Sequence, residues 1–94
     1  MVTQELRRAI ERAAAALKAY GATEVYLFGS AASGRLREGS DVDLAVSGLP
    51  PDRFFQAMGP AGDQLDRPLN LVDLDEDTPF TRYLKEEGEL QRVG

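Results

Sequence analysis

The stretch Asp41-Val42-Asp43-Leu44-Ala45-Val46 constrains the chain most. Successive side chains of a β-strand point to opposite faces. Val42, Leu44 and Val46 therefore share one face and form a core stripe. Asp41, Asp43 and Ala45 share the other, which puts the Cα atoms of the two acids roughly 6.5 Å apart. Like charges so placed repel, and a cation between them relieves the repulsion best. Hard oxygen donors at this spacing suit one or two magnesium ions, which keep water and take substrate phosphates as further ligands. The plainer reading of an isolated D-x-D has Asp41 capping a turn after Gly39-Ser40 and Asp43 facing water on an edge strand.

Composition narrows the chemistry. The 94 residues are expected to form one domain over residues 1–94, near the lower limit of a self-sufficient core. A core that small leaves room for a partner or a homo-oligomer. The net charge of −5 and pI of about 4.6 argue against a domain that grips nucleic acid through its phosphates. Histidine and cysteine are both absent, which excludes Ser-His-Asp catalysis, thiolate or imidazole metal sites and a cysteine nucleophile within this chain. Any metal must be held by oxygen, as magnesium, manganese or calcium are. No signal-peptide pattern opens the chain and no run approaches a membrane span, so the expected location is the cytoplasm.

The hydropathy pattern predicts an α/β (α+β) fold, a small mixed three-stranded sheet with helices packed on it. Leu6, Ile10, Ala13, Ala14 and Leu17 recur at helical spacing, and Gly21 is a natural stop. Glu24–Phe28 is short, β-prone and apolar on both faces, which predicts a central covered strand. Asp41–Val46 is the second strand. A weaker helix starts at Pro51 with Phe54, Phe55 and Met58 as its apolar patch, and Gly59, Pro60 and Gly62 are expected to break it. Pro68–Leu74 is the third strand. The last helix has Thr78 as N-cap, Pro79 in first position and Gly88 as stop.

A second feature stands at the end of the first strand. Gly29-Ser30 runs into Ala31-Ala32-Ser33-Gly34. Small residues between a strand and a helix expose backbone N–H groups to an anion. Gly29 allows close backbone approach, and the Ser30 hydroxyl can bond a phosphate oxygen. No G-K-[ST] occurs. Arg35 and Arg37 can neutralise phosphate or simply form a solvated loop. Each feature alone is weak. Together, a phosphate cradle and a metal-carboxylate pair on adjacent strands are what a magnesium-bound nucleoside triphosphate needs.

The run GSAASGRLREGSDVDLAV resembles the signature of the polymerase-beta-like nucleotidyltransferase superfamily: G-S, ten residues, D-x-D. More narrowly it resembles the minimal nucleotidyltransferases, and the resemblance covers nearly the whole chain. It implies a palm-like domain that binds ATP or another nucleoside triphosphate and transfers a nucleotidyl group to an acceptor hydroxyl. Gly29 and Ser30 would hold the β and γ phosphates, and Asp41 and Asp43 would hold two magnesium ions. The resemblance also implies a partner, a small helical HEPN-type toxin to which this chain is the antitoxin.

Two positions depart from the pattern. Ser33 stands where relatives often carry arginine. Laying LNLVDL on the family's third strand puts Asn70 at the position of its third carboxylate, and asparagine brings no charge to a metal. Asp73 is the weaker candidate, because residues 70 and 73 face opposite ways in a regular strand; its other reading is an exposed strand end, beside a solvated acidic turn of Asp75, Glu76 and Asp77. The competing functions are an active transferase, a catalytically impaired module that binds nucleotide or partner, and a structural domain whose acids are incidental.

Overall fold

The computed structural model describes residues 3–34, 39–88 and 90–94. In chain order the elements are α1 (Gln4–Ala19), β1 (Glu24–Phe28), α2 (Gly29–Ala32), β2 (Val42–Ser47), α3 (Pro51–Asp63), β3 (Leu69–Asp73), α4 (Pro79–Glu86) and β4 (Gln91–Arg92). The four strands form one mixed sheet in the order β3-β2-β1-β4. β1 pairs antiparallel with β2 and β4, while β2 and β3 run parallel. A parallel pair needs a crossover, and α3 supplies it.

Thr3 caps α1, its side chain accepting the Leu6 N–H at 3.1 Å. The apolar stripe of this helix, Leu6, Ala9, Ile10, Ala13, Ala14 and Leu17, is buried. It packs with α3 on Val25, Leu27, Val42, Leu44 and Val46, the main core. Complete burial of a side chain such as Leu17 or Leu44 stabilises the fold by roughly 1.5–3 kcal/mol. The opposite face holds a smaller cluster of Phe28, Ala45, Leu74 and Leu84. β1 is thus covered on both faces, as its composition predicts, while the second face of β2 is covered at Ala45. Among the described residues no helix is long and apolar enough to cross a membrane.

Two expectations are corrected. The sheet gains a fourth strand, β4, on the outer edge of β1. Its two exposed residues carry no apolar alternation to reveal it; backbone bonds hold it, with Val93 N–H donating to Val25 O at 2.9 Å, and the Arg92–Glu24 ion pair at 3.2 Å flanks it. The second correction is α3, which runs unbroken through Gly59 and Pro60 to Asp63. Ala57 and Ala61, one helical turn apart, are completely buried, and that packing outweighs the weak propensity. Pro60 lacks the N–H that would bond the Gln56 carbonyl, but Gln56 lies on the exposed side, where water can serve. The expected patch also shifts: Ala57 and Ala61 are its buried part, whereas Phe55 is 80% exposed.

Candidate functional site

β2 divides its two faces as the alternation requires. Val42, Leu44 and Val46 are completely buried. Asp43 is half-buried on the other face, and Asp41 is exposed one residue ahead of the strand. Asp43 does not lie on an edge, since β2 is flanked by β1 and β3. On its own face α4 covers Ala45 through Leu84, while Asp41 and Asn70 stay exposed to solvent.

The parallel register places Asn70 directly beside Asp43. The Asn70 side-chain amide donates to Asp41 Oδ2 at 3.1 Å and to Asp43 Oδ1 at 3.0 Å. One neutral group thus bridges both carboxylates with charge-assisted hydrogen bonds. Asp73 lies elsewhere. The β2–β3 pairing is regular from Val42↔Leu69 to Val46↔Asp73, with no bulge to turn the strand over. Asp73 therefore sits at the far end of β3 on the opposite face, where its Oδ1 accepts the Asp75 N–H at 2.9 Å. Among the described residues no group of three or more acids is placed to hold a metal ion. The donor set is two carboxylates and one amide.

The turn after β1 comes close to this set. Gly29 adopts φ +69°, a left-handed conformation that side chains disfavour. A Cβ built there would overlap Asp43 Oδ2, so only glycine lets the backbone approach the carboxylate this closely. α2 is a single turn, closed by Ser33 N–H to Gly29 O at 3.1 Å and by the Ser33 hydroxyl to Ser30 O at 3.2 Å. Ser33, the departure from the arginine pattern, thus has a local structural task. Ser30 is half-buried in the same turn. Arg35 and Arg37 lie outside the described residues.

An open cleft of about 410 Å³ separates this turn from α4. Gly29 and Ser33 form one wall, and Phe80, Tyr83 and Leu84 the other. Phe80 and Tyr83 are about half exposed, and Phe80 meets Phe28 edge to face with centroids 6.0 Å apart. Two further recesses lie along α1, beside Arg7 and Arg92 and beside Arg12 and Arg67, and neither is lined by Asp41 or Asp43.

The acidic turn has more structure than its composition suggests. Asp75 accepts the Ser47 hydroxyl at 2.9 Å and the Gly48 N–H at 2.7 Å, tying the β3–α4 connection to the end of β2. Asp77 pairs with Arg82 at 2.6 Å, and that guanidinium holds its carboxyl below the usual carboxylate value. Partners 27 and 28 positions away leave no local signal at Asp75.

The family model described as Polymerase beta, Nucleotidyltransferase matches residues 11–90. No curated protein sequence matches the chain. Among solved structures, a toxin–antitoxin crystallised with AMP-PNP superposes with a TM-score of 0.69 at 20% identity, over 98% of this chain and 73% of that one. A mutant of the toxin–antitoxin MntA-HpeT gives 0.65 at 18% identity, over 86% and 68%. At these identities the two structures speak for the fold.

Proposed function

The chain belongs to the polymerase-beta nucleotidyltransferase family, and on that premise we propose that it is a nucleotidyltransferase-type antitoxin. It binds a magnesium-bound nucleoside triphosphate, ATP foremost, and transfers the nucleotidyl group to a hydroxyl on a HEPN-type toxin. The acceptor oxygen bonds to the α-phosphorus, the bond to the bridging oxygen breaks, and pyrophosphate leaves with the hydroxyl proton released. Asp41 and Asp43 hold the cation. Gly29 brings the backbone of the phosphate turn against Asp43, and the Ser30 hydroxyl donates to a phosphate oxygen. The flat base lies along Phe80 and Tyr83. When bound, the divalent ion supplies charge neutralisation on the phosphates and a more acidic acceptor hydroxyl.

One observation carries this reading: the Gly29 backbone stands where a Cβ would strike Asp43 Oδ2. This approach joins the Gly-Ser turn to the D-x-D acids, the two halves of the motif within the residues that the family model matches. The toxin–antitoxin crystallised with AMP-PNP, which shares the fold, supports the nucleotide and the partner.

The test is transfer of label from ATP to the protein encoded by the neighbouring gene, in the presence of magnesium. Label should move with the unsubstituted chain and not with Asp41→Ala. Equal labelling, or equal absence of it, would refute the enzyme. A second reading is favoured by Asn70, which stands in for a carboxylate: the chain binds nucleotide and silences its partner by occlusion. Transfer that appears only in Asn70→Asp would establish it.

A further inference from the structure

Asn70 donates two hydrogen bonds, one to each carboxylate of the pair, although its own amide does not require them. The residue is exposed, so water could satisfy its amide. The orientation follows from chemistry. Ionised carboxylates only accept, so the amide nitrogen must face them; the amide oxygen in its place would gather three acceptors at one point.

We propose that Asn70 is a reversible ligand, whose amide N–H groups clasp Asp41 and Asp43 while the site is metal-free and whose amide oxygen turns to a divalent cation when one is bound. The inference rests on the metal site proposed above. A cation held by both carboxylates repels an N–H donor and attracts a carbonyl oxygen. A half-turn about the terminal side-chain torsion exchanges the two atoms in nearly the same volume, and exposure leaves room for it. An aspartate has no donor to offer, so in its place three acids would repel until a metal arrived.

Two properties follow. The metal-free site is already assembled, because the clasp offsets the repulsion between Asp41 and Asp43. Cation binding is weaker than with a third carboxylate, because the entering ion breaks two charge-assisted bonds and gains only a neutral oxygen.

Asn70 is the sole asparagine of the sequence, so its side-chain NH2 gives one asparagine signal pair in the nitrogen-15 spectrum of the whole chain. Magnesium chloride alone is the probe, and the backbone amides of Asp41 and Asp43 report binding independently. The expected result is that the Asn70 side-chain signals move to saturation with the same midpoint as those amides. Asn70→Asp should raise magnesium affinity at least tenfold and melt earlier than the unsubstituted chain without metal. Asn70→Leu should lower both magnesium affinity and the metal-free melting temperature. If the Asp41 and Asp43 amides respond while the Asn70 side chain does not, the proposal fails and the metal site stands. Unchanged affinity in Asn70→Asp also overturns it. Silence at Asp41 and Asp43 removes the metal site and the proposal with it.

Discussion

Replacing Gly29 by alanine separates the cost of a strained turn from the loss of a site. The left-handed backbone at φ +69° costs an L-residue roughly 1–2 kcal/mol. The new Cβ also collides with Asp43 Oδ2, the end of a short side chain that can rotate away. Rotation breaks the bond from Asn70 to Asp43, an acceptor with charge, worth about 1.5 kcal/mol at this exposure. The sum is about 2.5–3.5 kcal/mol, or a fall in melting temperature of roughly 10–30 °C for a domain of this size. Gly39→Ala is the control: its φ of +80° carries the same backbone penalty, yet no described atom lies within 4 Å of its Cβ. It should lose about 1–2 kcal/mol and no more. Urea unfolding gives the stabilities, and calorimetric titration with magnesium and AMP-PNP gives binding. Gly29→Ala should lose binding at temperatures where it is still folded, while Gly39→Ala keeps it. Equal stabilities for the two variants, or intact binding in folded Gly29→Ala, would refute the close-approach argument.

Leu44→Ala empties a completely buried position and should cost about 2–5 kcal/mol in urea unfolding, with the slope unchanged. Asp75→Ala removes both bonds to Ser47 and Gly48 and should lower stability by about 1 kcal/mol; hydrogen exchange should quicken at Gly48. The Asp77 carboxyl is held below its ordinary value by Arg82, so its contribution is complete above the unfolded value of 3.8 and is lost as pH falls through the lower folded one. The pair is exposed, so the effect is small; thermal melts of Arg82→Gln against the unsubstituted chain should converge at the acid end and differ above pH 4.

The strand carrying the acids was legible because a period of two fixes faces without any knowledge of neighbours. Val42, Leu44 and Val46 had to be core once Asp41 and Asp43 were placed opposite. The same parity argument separated Asn70 from Asp73 but could not choose between them, since choosing needs the register of a partner strand 27 residues away. The Asp43↔Asn70 pairing decides which of the two shares a face with the acids. Local rules penalise Gly59 and Pro60 and so end α3 too early, whereas Ala57 and Ala61 act through α1, which no window on the sequence contains. β4 and Asp75 stayed hidden for a related reason: backbone bonds to another strand, and a carboxylate reaching across the fold, write nothing into neighbouring residues.

Phe28 and Asp43 are partners across β1 and β2, so the chain between them leaves and re-enters the sheet at two anchored points. Lengthening a connection held in this way costs only about 0.6 kcal/mol per doubling. The register of β1 and β2 therefore keeps Gly29 beside Asp43 without depending on the length of chain that joins them.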